Sequence, residues 1–102
     1  MTERQRLPNR REHELLNFEH GGISYTAGVG RFENGQLAEI FLNTAKHGTA
    51  VDVNARDAAL AASLLLQHGC SVDTLRRALT RSGDGSGSGP LAHALDLLAE
   101  RQ

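Results

Sequence analysis

The chain has 102 residues, of which 39% are hydrophobic and 23% charged, and a formal net charge of -1. That balance fits one small globular domain and gives no whole-chain field to hold nucleic acid or an anionic membrane. No apolar run approaches the ~20 residues of a spanning helix, and the charged N-terminus lacks a signal peptide's apolar region. The lone cysteine, Cys70, excludes an internal disulfide and fits a reducing compartment, so a cytoplasmic protein is expected. With no Trp and 4% aromatics the core must be aliphatic and thin, and association would help it.

Residues 1–13 are polar, with Arg4, Arg6, Arg10 and Arg11 around Pro8, and read as a flexible basic arm. Glu3 and Glu12 interrupt the basic run, and the arm has no aromatic to stack on a base, which argues against nucleic acid as its partner. Residues 15–19 read as a first strand, and Gly21-Gly22 as a tight turn into a second strand from Ile23. If His20 faces Ile23, then Phe18 faces Tyr25 and Leu16 faces Ala27. Asn34-Gly35 reads as a second two-residue turn of type I′, which needs positive φ at both positions. It would set Phe32 opposite Leu37, Arg31 opposite Ala38, Val29 opposite Ile40 and Ala27 opposite Leu42. Both turns place Leu16, Phe18, Ile23, Tyr25, Ala27, Val29, Ile40 and Leu42 on one face, the pattern of a sheet with one buried side.

A first helix is predicted from Asn54, capped by that residue with Asp57 in its first turn, and ended by Gly69. Its alanines and leucines cover most of its circumference, which predicts burial on more than one side. Ser71 then caps a second helix carrying Val72, Leu75, Ala78 and Leu79 at helical spacing, with Arg76, Arg77 and Arg81 elsewhere. Residues 83–89 contain only Gly, Ser and Asp84 and read as a flexible linker. Pro90 opens a last helix with Leu91, Ala94, Leu95 and Leu98 on one stripe.

The expected fold is therefore α+β: a three-stranded antiparallel β-meander with two to three helices packed on one face. Residues 1–13 form the arm, 14–82 the α+β domain, 83–89 the linker and 90–102 the C-terminal helix. No catalytic constellation stands out. The glycine-rich run lacks both the Gly-Lys-Ser/Thr ending and the feeding strand of a phosphate loop. His13, His20, His47, His68 and His93 are not paired at zinc-site spacing, so no metal and no cofactor is expected. Cys70 has no base at a defined position and reads as a small apolar filler between helices. The loop Lys46-His47-Gly48-Thr49 offers a cation, a hydroxyl and nearby helix amides, so it is a candidate contact for an anion or a partner. On the sheet face turned away from the helices, Leu15, Phe32, Leu37 and Phe41 would form an open apolar patch, a candidate interface for a homodimer or a protein partner.

Several short motifs in order carry a resemblance. Gly35 precedes Glu39 and Phe41, then come Lys46, Gly48 and Thr49, then Ser63, Leu64, Leu66 and Gly69, and then Val72-Asp73-Thr74-Leu75. In this order and spacing the chain resembles the TSCPD domain found near the C-terminus of adenosylcobalamin-dependent ribonucleotide reductases. The Thr-Ser-Cys-Pro-Asp signature of that domain is absent, and residues 83–90 stand in its place. The resemblance implies an accessory or protein-interaction module linked to nucleotide reduction, with a reductase subunit as a candidate partner. It does not imply the reductase chemistry, because thiyl-radical reduction needs several cysteines and a cofactor pocket, and this chain has one cysteine. Two other readings are kept open: a small anion- or nucleotide-binding protein or enzyme using the Lys46 loop, and a nucleic-acid module using the basic arm with Arg76, Arg77 and Arg81.

Overall fold

The computed structural model describes residues 3–4 and 13–100. Most of the basic arm, with Arg6, Pro8, Arg10 and Arg11, lies outside the described residues; Arg4 is described, and its Nε donates to Gln67 Oε1. Two hairpins in series make one antiparallel sheet in the order β1-β2-β3, from β1 (His13–His20), β2 (Ile23–Arg31) and β3 (Leu37–Thr44). Three helices follow: α1 (Ala50–Gln67), α2 (Val72–Ala78) and α3 (Pro90–Glu100). The α+β meander expected from the sequence is the fold of this chain.

The first hairpin has the predicted register, with His20 opposite Ile23, Phe18 opposite Tyr25 and Leu16 opposite Ala27. Gly21 and Gly22 both take positive φ, +58° and +77°, as a type I′ turn requires. The second hairpin reaches its register by another route. Only Gly35 has positive φ there, and its N–H donates to the Phe32 carbonyl at 2.9 Å while the Phe32 N–H donates to Gln36 at 2.8 Å. This is a three-residue loop with a left-handed glycine at its end. It sets Arg31 opposite Leu37, not opposite Ala38. One extra residue on β3 then forms a bulge, and from Gly30–Glu39 onward Val29 faces Ile40 and Ala27 faces Leu42 as expected. The longer loop and the bulge cancel.

The bulge also corrects the proposed patch. It breaks the in-out alternation, so Leu37 turns inward beside Ala38, and Phe32 closes over the same end of the core; they are 6% and 8% exposed. Neither belongs to the outer face. Leu15 and Phe41 do, flanking Gly28 on that face.

Hairpin geometry decides which main-chain groups of β3 point away from β2. Glu39, Phe41 and Asn43 bond toward β2, so Ala38, Ile40, Leu42 and Thr44 present theirs to the open edge. Along that edge runs α1. The Ser63 hydroxyl accepts from the Ile40 N–H and donates to the Ile40 carbonyl, both at 2.9 Å. Gln67 Nε2 donates to the Ala38 carbonyl at 3.1 Å, and Asp52 Oδ1 accepts from the Thr44 N–H at 3.0 Å. The lengths agree: from Thr44 to Ala38 a strand advances about 20 Å, and from Asp52 to Gln67 a helix advances about 22 Å. A helix thus closes an edge that would otherwise invite a foreign strand.

Helical phase then sorts the rest of α1, since successive residues are about 100° apart. On one side of the edge-facing residues, Ala55, Ala59, Ala62 and Leu66 enter the core against Ile40, Leu42 and the α3 residues Leu95 and Leu98. On the other side, next to the outer sheet face, Val53, Leu60 and Leu64 remain exposed. The expected burial on several sides is therefore not found: the core side carries small residues for close approach, and large apolar ones stay in solvent. The helix also begins a turn earlier than expected, at the Thr49 cap rather than at Asn54, with Asp52 in its first turn. It ends as expected at Gly69, with φ +98°; the Cys70 N–H donates to the Leu65 carbonyl at 2.9 Å and that of Gly69 to Leu66 at 3.2 Å.

Ser71 caps α2, accepting from the Thr74 N–H, and Pro90 opens α3, both as expected. Residues 83–89, expected as a linker, close into a hydrogen-bonded turn: the Ser82 N–H donates to the Ser86 carbonyl at 2.8 Å and that of Ser88 to Thr80 at 2.9 Å. A Cβ on Gly87 would sit 2.6 Å from the Ala92 side chain, so this glycine lets the turn press on α3.

Ser63→Ala is expected to destabilise the fold by about 1–3 kcal/mol, because it strands two buried main-chain groups of Ile40. Leu60→Ala, on the exposed flank, is expected to stay within about 0.5 kcal/mol. Urea unfolding of the two variants checks the contrast.

Candidate functional site

The loop between β3 and α1 is built around one carboxylate. Asp52 is 1% exposed. Its Oδ1 accepts from the Thr44 N–H at 3.0 Å and the Thr44 hydroxyl at 3.2 Å. Its Oδ2 accepts from the Gly48 N–H at 3.3 Å and from Arg56 Nε at 3.0 Å. The Thr44 amide above all, with the Gly48 amide and the Arg56 guanidinium, outweighs burial and holds this carboxyl below the usual carboxylate range. Thr49 spends its hydroxyl locally, donating to the Lys46 carbonyl at 2.8 Å and accepting from the Asp52 N–H at 3.3 Å.

The four residues expected to meet an anion are thus placed as follows. The Gly48 amide bonds the chain's own Asp52 carboxylate, and the Thr49 hydroxyl caps the helix by accepting from the Asp52 N–H. His47 Nδ1 accepts from Arg56 Nη2 at 3.3 Å; arginine can only donate, so that nitrogen carries no proton in this contact. Lys46 is exposed, and its ammonium has no ion pair among the described residues. Arg56 and His47 also border an open groove over Phe18, Tyr25, Thr26 and Asn43.

Arg76 of α2 and Arg81 just beyond it are drawn inward. Asp96 of α3 receives Arg76 Nε at 2.9 Å and Arg81 through both Nη atoms, one of them at 3.0 Å. Arg81 also donates to the Arg76 carbonyl at 2.8 Å. Bonding from Arg81 first, and then from Arg76, keeps the Asp96 carboxyl low. Of the three arginines, Arg77 alone is exposed and without a partner among the described residues. Cys70 packs against the core with its thiol 3.5 Å from the Ser71 carbonyl, the expected filler position.

One polar contact escaped the sequence reading. His20, at the end of β1, meets His93 of α3 with their Nδ1 atoms 3.0 Å apart, and His20 Nε2 lies 2.8 Å from the Ser88 carbonyl. A carbonyl only accepts, so His20 carries a proton on Nε2 in this contact, and a neutral His20 then accepts from His93 at Nδ1. Phe18 stacks on Tyr25 with ring centroids 5.5 Å apart and meets His93 edge-on at 5.0 Å. These contacts lock the first hairpin to the last helix, and no local spacing announces a pair 73 residues apart. On the outer sheet face, His13 Nε2 meets the buried Glu39 carboxylate at 3.3 Å, and Glu39 lies across Gly30, where a Cβ would fall 2.7 Å from its Oε1.

No family model matches the chain, and no solved structure matches it. Over 80 residues, 78% of its length, it is 34% identical to a vitamin B12-dependent ribonucleotide reductase of Bradyrhizobium diazoefficiens. Over 78 residues, 76% of its length, it is 35% identical to a vitamin B12-dependent ribonucleotide reductase of Agrobacterium fabrum. The chain spans about 6% of the length of these two relatives.

Because Asp52 and Asp96 both titrate below their ordinary value, their stabilisation is present above about pH 4 and is lost as pH falls through the folded-state values. Melting temperatures are expected to fall in acid below about pH 4. Asp52→Asn should start lower and lose less over the same range. Parallel curves for the two proteins would remove Asp52 from this role. The chain is related to a short segment of vitamin B12-dependent ribonucleotide reductases.

Proposed function

We propose that this chain is a non-catalytic, TSCPD-like protein-interaction module that acts as an accessory to ribonucleotide reduction. The observation that carries the reading is the similarity itself: it takes in more than three quarters of this chain and about 6% of each reductase. What this chain shares with them is a small domain. The TSCPD assignment rests on the ordered motifs from Gly35 to Leu75. The single cysteine supports a non-catalytic role, since it leaves no second thiol to complete a reducing pair.

The surface supports docking better than chemistry. Of the seven exposed large apolar side chains among the described residues, Leu15, Phe41, Val53, Leu60 and Leu64 lie on the outer sheet face and the adjoining flank of α1. A small domain gains nothing in its own stability from apolar groups left in water, and such a cluster is typical of a contact surface. The Lys46 loop is less suited to an external anion, because its Gly48 amide and Thr49 hydroxyl are already engaged within the chain.

Mixed with a purified vitamin B12-dependent ribonucleotide reductase, the chain is expected to co-elute with it and to give a binding heat by calorimetry. The double variant Phe41→Glu/Leu64→Glu should lose that association while keeping its circular dichroism. By itself the chain should reduce no ribonucleotide with adenosylcobalamin present. No association with the reductase, or turnover that survives Cys70→Ser, would sink this reading.

A further inference from the structure

The sheet has two edges, and the chain treats them differently. The outer edge of β3 is closed by Asp52, Ser63 and Gln67 of α1. Among the described residues nothing closes the outer edge of β1. The two-residue turn at Gly21-Gly22 makes His20 and Ile23 a mutually bonded pair, so Leu16, Phe18 and His20 bond toward β2. His13, Leu15, Asn17 and Glu19 therefore direct their main-chain groups outward. Leu15, Asn17 and Glu19 have no main-chain partner there among the described residues. An eight-residue strand left open in this way is a template for another strand.

We propose that β1 pairs antiparallel with β1 of a second copy of this chain, about a two-fold axis at Leu16, to form one continuous six-stranded sheet. Two arguments select a second copy. The first is closure: joining the two open edges leaves only the two β3 edges, and each is already covered by its own α1, so no edge remains to recruit a further strand. The second is charge. Side-chain alternation allows only registers that match odd residues with odd ones, and the two with the longest overlap place the axis at Leu16 or at Asn17. With the axis at Leu16, all four outward residues find partners: His13 faces Glu19 of the second copy, and Leu15 faces its Asn17. Glu39 holds His13 Nε2, so a donation from Nδ1 to that Glu19 uses the imidazolium form of His13, which carries a proton on each ring nitrogen. Glu19 is exposed and has no side-chain partner among the described residues. With the axis at Asn17, His13 would be left unmatched, and Glu14 would face His20, although Glu14 is held by Arg31 and His20 by His93 and Ser88. The Leu16 axis satisfies more groups and disturbs none of these internal pairs.

The outer sheet face and the α1 flank stay open in this dimer, and its test needs no reductase, so its failure would leave the accessory reading intact. Sedimentation equilibrium on the full chain is expected to give the mass of two chains at micromolar concentration. Asn17→Pro removes an outward N–H and leaves the β2 ladder untouched, so it should yield a monomer with unchanged helical dichroism. Glu19→Lys should weaken the dimer at least tenfold. For the register, Leu16→Cys in a Cys70→Ser background should oxidise to a cross-linked dimer, since facing Cα atoms at a non-bonded antiparallel position lie about 4.5 Å apart, within disulfide reach. A monomer at every concentration, a dimer indifferent to Asn17→Pro, or a cross-link through Asn17→Cys but not Leu16→Cys would overturn the proposal.

Discussion

Three polar side chains on one face of α1, meeting the outward main chain of β3, are the contact on which the rest of this domain depends. A three-stranded sheet has little area to bury, and its edge strands carry unpaired amides and carbonyls that water or another chain must satisfy. By bringing Asp52, Ser63 and Gln67 to Thr44, Ile40 and Ala38, α1 satisfies the Thr44 amide, both main-chain groups of Ile40 and the Ala38 carbonyl, and is itself fixed in position and direction. Its alanines then fall on the core side, where their small size lets helix and sheet approach closely and where α3 completes the layer. The same rotation leaves Val53, Leu60 and Leu64 beside the outer sheet face. The apolar surface assigned to a partner is thus a geometric consequence of the way the edge is closed.

Asp52 ties this edge to the loop before it. A buried carboxylate is costly unless its oxygens are fully bonded, and here two amides, a hydroxyl and a guanidinium meet it. The segment from Lys46 to Thr49 resembles an anion cradle when read as residues alone. In the folded chain one of its groups, the Gly48 amide, turns to the internal carboxylate of Asp52. A second carboxylate, Asp96, plays a similar part between α2 and α3 by gathering Arg76 and Arg81, which draws positive charge away from the surface. Both carboxylates spend charges on internal order that the sequence alone would assign to ligands.

Much of the sheet was legible because turn chemistry and alternation agree. Gly21-Gly22 admits one register, and it is the one found. At Asn34-Gly35 the strand pairing was read correctly although the loop was not, because the extra loop residue and the bulge at the start of β3 offset each other. The cost of that misreading fell on Phe32 and Leu37, which local alternation assigns to the outer face and the bulge turns inward. Helix α1 was legible in existence and in its Gly69 ending. Its start was not: Thr49 is an equally good cap, and nothing local favours it over Asn54. The role of Asp52, Ser63 and Gln67 was readable in principle, since spacings of eleven and four residues return to one helix face. A polar stripe on an otherwise apolar helix is ordinarily solvent-facing, and only the neighbouring open strand gives it another purpose. The His20–His93 contact has no local signal.

Amide hydrogen exchange resolved by residue tests the central claim most directly. If α1 closes the edge of β3, the amides of Ile40 and Thr44, which point away from the sheet, should exchange as slowly as the ladder amide of Phe41 between β2 and β3. Ser63→Ala should release Ile40 and leave Phe41 protected. Fast exchange at Ile40 and Thr44 in the unaltered chain, with Phe41 slow beside them, would mean that the edge is open and that α1 is held by its apolar side alone.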